Sequence, residues 1–219
     1  MKKISKDFIE LCILVILICI ILGGALVVAG KHNQKNSELS SNLVESTVKV
    51  MTIFGSGSGI VIKSTPKYSL ALSNKHVCMS SPIAKIKVVT NLGKEEVVEA
   101  YISKIGVYSD LCLIKIDKGG LPPVKLAKGY KLHEKVFVIG NPLGIRGVKT
   151  VGYIGRPKQV FMEQMVQISV PIYPGNSGSG VLNTGGELVG IATAAWAGAE
   201  HLAFMIRLED IEVFLGGVL

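Results

Sequence analysis

The chain shows no internal repeat of solenoid period and no low-complexity tract, which excludes repeat architectures and a compositionally biased scaffold. It contains no Cys-x-x-Cys pair and no His/Cys cluster, so neither a metal nor any other cofactor is expected. The formal charge is +8, yet the lysines are scattered and no basic stripe with interleaved aromatics occurs. Nucleic acid is therefore not an expected partner, and the lysines read as a solvated surface. Histidine and aspartate are scarce, with four of each, so the search for ionisable groups that could do chemistry is short.

What is present begins with a sharp change of texture. Leu11 to Ala29 is a charge-free run of nineteen residues, preceded by Lys2, Lys3 and Lys6. At ~1.5 Å per residue, such a run nearly matches a hydrocarbon core of about 30 Å. The preceding lysines favour a cytoplasmic N-terminus. The rival reading is a cleaved signal peptide, for which Val27-Val28-Ala29 offers small residues. The run exceeds the usual ~7–15-residue signal core, so an uncleaved transmembrane helix is the expectation. Both readings export the rest of the chain, and the anchor reading makes it a single-pass cell-membrane protein with an extracytoplasmic domain.

Residues 31–43, KHNQKNSELSSNL, are polar and aperiodic and read as a flexible stalk. From Val44 onward, short β-branched runs alternate with Gly, Ser, Asn and Pro, as in STVKVMTIF, SGIVIKS, YSLALS, DLCLIKI, KVFVIG and ELVGIATA. This spacing predicts an antiparallel sandwich or barrel. The break DKGGLPP, residues 117–123, suggests two small barrels joined by a linker. The expected organisation is 1–30 cytoplasmic N-terminus and anchor, 31–43 stalk, 44–118 first barrel, 119–123 linker, and 124–219 second barrel. The segment LEDIEVFL, with apolar residues at 208, 211, 214 and 215, adds a short C-terminal helix.

The stretch PGNSGSG, residues 174–180, raises a chemical question, because a serine in such a turn is either a turn residue or a nucleophile. A serine hydroxyl attacks only when a base takes its proton and a third group holds that base in the right tautomer. His32 lies in the stalk and His133 in the polar turn KLHEK, whereas His76 follows the apolar run of YSLALSNKHVC at a strand end. Asp117 sits beside Lys118 and Asp210 lies in the terminal helix, whereas Asp110 opens DLCLIKI. The most economical constellation is His76 as base, Asp110 as orienter and Ser177 as nucleophile, with a cleft between two barrels bringing them together.

These residues sit in segments that resemble the trypsin-like serine proteases, and most closely the bacterial HtrA-like (Deg) branch. SNKHV is similar to that branch's segment around the base, and DLCLIKI to its segment around the aspartate. KVFVIGNPLG and PGNSGSGVLNTGGELVGI are similar to its second-barrel strand and nucleophile loop, and GSGSGIVI to its first-barrel Gly-Ser-Gly strand. The resemblance runs from about Val44 to Leu215. It implies an all-β, chymotrypsin-like fold of two antiparallel six-stranded barrels. It also implies a serine endopeptidase acting on proteins or peptides through an acyl-enzyme. His76, Asp110 and Ser177 take the roles already derived, and the N–H groups of Gly175 and Ser177 form the oxyanion hole.

Three departures from the family pattern stand out. Ser179 occupies the place of a usual second glycine. Cys78 and Cys112 stand two residues after His76 and Asp110, where small apolar residues are usual, and are expected as free buried thiols rather than a disulfide. No PDZ domain is expected after the terminal helix. The resemblance also places Pro171 at the base of the primary pocket, with walls from Ala192, Thr193, Ala194 and Ala203 and with Phe204 limiting its depth. No acid lies nearby, so small to medium aliphatic side chains are the expected occupants. His201 is close in sequence to this strand. The alternative to an enzyme is a catalytically silent trypsin-like domain that binds as a membrane-tethered module. An esterase is disfavoured, because Ser179 breaks the Gly-x-Ser-x-Gly elbow.

Overall fold

Twelve strands pair into two closed antiparallel barrels of six strands each. The computed structural model describes residues 41–53, 55–79, 85–90, 96–160, 163–195 and 201–218. The first barrel comprises β1 (Thr47–Thr52), β2 (Gly55–Ser64), β3 (Ser69–Ser73), β4 (Lys85–Thr90), β5 (Glu96–Ile105) and β6 (Cys112–Ile116), in the closed order β1-β2-β3-β6-β5-β4. The second comprises β7 (Lys135–Gly140), β8 (Val148–Val160), β9 (Glu163–Ile168), β10 (Gly180–Asn183), β11 (Leu188–Ala195) and β12 (Ala203–Arg207), ordered β10-β11-β12-β9-β8-β7. Closure leaves neither sheet with an unpaired edge. Every run singled out in the sequence as a strand is one.

Each barrel is filled by its own apolar side chains. Val50, Val61, Ala71, Ile114 and Ile116 pack in the first, and Val138, Ile154, Val166, Ile168 and Val181 in the second. The short runs alternate because one face of each strand points into a barrel, while FVIG in β7 is buried throughout, as its continuous apolar character predicts. The C-terminal helix, Leu208–Leu215, buries Leu208, Ile211, Phe214 and Leu215, the stripe read from its spacing. Glu209 and Asp210 in its first turn face the positive end of the helix dipole. Arg207 just before the helix forms a two-pronged pair with Asp210.

Two boundaries differ from expectation. Residues 119–123 are not a free linker: Leu121 is fully buried in the first-barrel core, and the Gly120 N–H donates to the Thr65 carbonyl. The chain then crosses gradually, with Val124 N–H donating to Val61 O and Ala127 N–H to Leu188 O. An apolar leucine set between a pair of glycines and a pair of prolines is drawn into the nearest core, so the crossing is longer than the turn signal implied. Secondly, residues 41–43 of the expected stalk are helical and Leu43 is buried. The rest of the stalk and the apolar run 11–29 lie outside the described residues. No helix among the described residues is long and apolar enough to cross a membrane.

Asn42–Leu219 forms one compact unit, so the meeting of the two barrels is well defined. Ser58 of β2 is the hub of that meeting. Its hydroxyl donates to Gly175 O at 2.7 Å and accepts from the Asn141 backbone N–H at 3.0 Å and the Asn141 side-chain amide at 2.9 Å. One donor and two acceptors are the full capacity of a hydroxyl, so this buried group is satisfied entirely across the interface.

Candidate active site

His76 lies in a short helical turn, Lys75–Cys78, that follows β3, and Asp110 lies just before β6. β3 and β6 pair antiparallel, and Ser73↔Cys112 is the last pair of their ladder. Both side chains therefore project just beyond one end of a rigid ladder. There His76 Nδ1 lies 2.7 Å from Asp110 Oδ2, and the His76 backbone N–H donates to Asp110 Oδ1 at 2.9 Å. The Lys75 N–H and the Asn74 side-chain amide both donate to the Asp110 carbonyl, at 3.1 and 3.0 Å. The imidazole is about half exposed, and its Nε2 has no hydrogen-bond partner among the described residues, while the carboxylate is more enclosed.

The second barrel completes the enclosure. Thr193 on β11 donates its hydroxyl to Asp110 Oδ2 at 2.7 Å. β11 carries a bulge between Ala192 and Ala194, and such an irregularity re-aims the side chain it contains. Burial pushes the Asp110 carboxyl up. The hydrogen bonds from His76 and Thr193, together with the histidine charge, outweigh it and hold the group below its ordinary value. Asp110 is thus held as an ionised acceptor facing both His76 Nδ1 and the Thr193 hydroxyl.

Ser177 reaches this pair from the second barrel. Its carbonyl accepts from Ser58 N–H at 2.8 Å, and its Oγ lies 3.5 Å from the Thr193 carbonyl. No hydrogen bond joins Ser177 Oγ to His76 among the described residues, a looseness common in triads without substrate. Gly57 permits the close approach. A Cβ there would stand 2.7 Å from Val77 Cγ2 and 2.9 Å from Ser177 O, wedging the segment of the serine from that of the histidine.

The backbone around Ser177 has a defined orientation. The Leu143 N–H donates to Pro174 O at 2.8 Å, and the Ser179 N–H to Asn176 O at 2.9 Å. In a planar trans peptide the N–H points opposite to the C=O. With those two carbonyls held, the Gly175 and Ser177 N–H groups are turned the other way, and no backbone partner among the described residues takes them up. Gly175 at φ +100° and Gly178 at φ +88° occupy the left-handed region that makes this turn possible.

The remaining sequence expectations fall out unevenly. Pro171 and Ala194 are half-buried, whereas Ala192 and Ala203 are closed into the second-barrel core and the Thr193 hydroxyl is engaged with Asp110. Phe204 is buried against Met165, Ala194 and Leu202. His201 is exposed, at φ +66°. Cys78 and Cys112 are fully buried, as expected, but form a disulfide rather than remaining free thiols. Contact between His76 and Asp110 brings the residues two further along each segment into the same core, where the sulfurs meet. No group of metal-ligating side chains occurs among the described residues. Ser58 and Asn141 were missed as site residues. An asparagine directly after the buried run FVIG was the available signal, since a buried amide needs partners.

This geometry and the twin barrels define a class, and the comparisons agree with it. A family model for the trypsin-like peptidase domain matches residues 57–191, a span that contains His76, Asp110 and Ser177, and the chain belongs to that family. It is 31% identical over 168 residues to the putative serine protease HhoB of Synechocystis, covering 72% of this chain and 39% of that protein. It is 32% identical over 163 residues to a probable periplasmic serine endoprotease, DegP-like, of Ectopseudomonas mendocina, covering 70% and 33%. The crystal structure of the serine endoprotease from Yersinia pestis superposes with a TM-score of 0.71 at 26% identity, covering 81% of this chain and 64% of that one. The chain thus spans well under half the length of these two relatives.

Proposed function

We propose that this protein is a serine endopeptidase. The observation that carries the reading is the double seat of His76 on Asp110, through Nδ1 and through the backbone N–H, with Ser177 brought alongside from the other barrel. In the reaction, His76 Nε2 takes the Ser177 proton as the hydroxyl attacks the peptide carbonyl. The Gly175 and Ser177 N–H groups receive the oxyanion, each such donor contributing roughly 3–4 kcal/mol to the transition state. His76 then protonates the leaving amine, and water hydrolyses the acyl-enzyme by the reverse roles. Covalent labelling of wild type by a fluorophosphonate probe, absent in Ser177→Ala, is expected; equal labelling of both would refute the assignment.

The substrate pocket of this reading is bounded by Pro171 and Ala194, with no charged side chain supplied by the residues assigned to it. The same reading places the domain outside the cytoplasm, tethered by residues 11–29 as a single membrane span. Its support is the charge-free run after three lysines. Protease added to intact spheroplasts is expected to digest the domain, and a protected full-length chain would overturn the topology.

A further inference from the structure

We propose that the Cys78–Cys112 disulfide is a covalent gate on the His76–Asp110 pair, so that the oxidised chain turns over substrate at full rate and the dithiol form does not. The proposal rests on the peptidase reading above and concerns what keeps that triad assembled.

The last ladder pair between β3 and β6 is Ser73↔Cys112. His76 lies three residues past that end on one strand, and Asp110 two residues past it on the other. The base and its orienter therefore overhang the regular hydrogen-bonded structure. The overhang on the histidine side is a helical turn of four residues, and its N-cap Asn74 makes no side-chain cap. Isolated helices shorter than about 12–15 residues are marginal, so this turn has no stability of its own. It is held instead by what it touches.

The disulfide supplies the far anchor of that turn. It joins Cys78, the last residue of the turn, to Cys112, the ladder residue itself. Residues 76–78, residues 110–112, the sulfur bridge and the His76–Asp110 hydrogen bonds then make one small closed ring. For the backbone of the His76 turn to lift its N–H away from Asp110 Oδ1, Cys78 must move relative to Cys112. A disulfide forbids this once the Cα atoms part beyond about 7 Å. Hydrogen bonds at one side of the ring, made by a half-exposed imidazole to a residue that follows the exposed Val107–Tyr108 loop, are open to competition from water. The buried bond at the other side is not.

The chemistry balances as thiol–disulfide exchange. The two thiols lose two electrons and two protons to an external oxidant of the disulfide class, R–S–S–R, through a mixed disulfide, releasing two R–SH. Both sulfurs are shut from solvent in the folded barrel, so the exchange takes place before the first barrel closes. The gate is therefore set once, during folding in an oxidising compartment, and a chain that folds among reducing thiols remains a weak peptidase.

The test uses the full-length chain in detergent, folded and purified either with oxidised glutathione or under a thiol reductant throughout. Alkylation and mass spectrometry count the free thiols, and near-UV circular dichroism reports packing. The dithiol form, and a Cys78→Val/Cys112→Ala variant that refills the core, are expected to fold. They should acylate Ser177 with the fluorophosphonate about 10–10²-fold more slowly, the range that a misplacement of up to about 1 Å produces. Against a peptide substrate, kcat should fall by a similar factor with KM within about twofold, and unfolding the dithiol form and refolding it with oxidised glutathione should restore it. Equal acylation rates in all forms would overturn the gate, as would alkylation of Cys78 or Cys112, located by peptide mapping after denaturation, in the oxidised protein. Loss of packing in both altered forms would also overturn it, by showing a general staple. Absence of labelling in every form, matching Ser177→Ala, would count against the peptidase reading instead.

Discussion

Thr193 and Asp110 belong to different barrels, and the hydroxyl of the first donates to Oδ2 of the second at 2.7 Å. The same oxygen receives His76 Nδ1 at 2.7 Å. One carboxylate oxygen thus joins the second barrel to the base of the first. Removing the hydroxyl while keeping the shape, as Thr193→Val, deletes a hydrogen bond to a charged group, an interaction worth about 1.5–3 kcal/mol. The expected result is a kcat lowered by about 10–10²-fold with a folded protein, measured on a peptide substrate. Unchanged kcat would show that Asp110 is held sufficiently by His76 and its own backbone.

Asp110→Asn is expected to be far more damaging. An amide in place of the carboxylate favours the imidazole tautomer with its proton on the wrong nitrogen. In comparable triads the loss is about 10⁴-fold in turnover. Steady-state kinetics together with circular dichroism decide the matter, and near-normal turnover by the folded variant would mean that another group orients His76.

Acid should remove one specific contribution to stability. Asp110 is held below its ordinary value of 3.8, because the hydrogen bonds and the histidine charge outweigh burial. A depressed carboxyl contributes stability that is fully present above its unfolded value of about 3.9 and is lost as pH falls through the lower folded value. The stability gap between wild type and Asp110→Asn, read from urea unfolding, should be constant near neutrality and close below about pH 4. A gap that persists undiminished into strong acid would show that the carboxylate charge is not its source.

Gly178→Ala tests how closely the serine loop is packed on the first barrel. Gly178 sits at φ +88°, and a Cβ there would collide with the Ser58 carbonyl oxygen and the Ser73 hydroxyl. The dihedral alone costs about 1–3 kcal/mol for a residue with a side chain. The Ser58 carbonyl is backbone within β2 and cannot retreat, so a larger loss is expected in urea unfolding, with lowered turnover in the folded fraction. A variant as stable as wild type would refute the close approach.

Cleavage preference follows from the uncharged character of the residues assigned to the pocket, Pro171 and Ala194. A charged side chain entering such a site loses water without gaining a partner, at a cost of several kcal/mol, while an aliphatic one gains roughly 25 cal/mol for each Å² removed from water. Mass-spectrometric profiling of a peptide library is expected to show cleavage after Ala, Val, Leu or Ile. Dominant cleavage after Lys, Arg or Asp would overturn the pocket, and dominant cleavage after Glu would implicate the exposed His201.

Much of this protein is legible in its amino-acid sequence. The twelve strands are legible because each barrel strand alternates or runs apolar according to which faces are buried, and that pattern is a local property of a few residues. The terminal helix is legible from the spacing of Leu208, Ile211, Phe214 and Leu215 for the same reason. His76, Asp110 and Ser177 stand out because few other residues of their kinds occupy strand ends. Tertiary structure alone decided what depends on two distant segments meeting. Cys78 and Cys112 read as core thiols one at a time, and become a disulfide because the contact between His76 and Asp110 carries them to one spot. Thr193 reads as part of a wall of small residues, and becomes a clamp on Asp110 because a bulge turns its hydroxyl toward the other barrel. Leu121 reads as part of a linker and is buried because the nearest core had room for it. Ser58 is indistinguishable from Ser56 along the chain, yet only Ser58 is enclosed between Gly175 and Asn141. Periodicity encodes which face of an element is buried, but the partner buried against that face lies tens of residues away, and no local pattern records it.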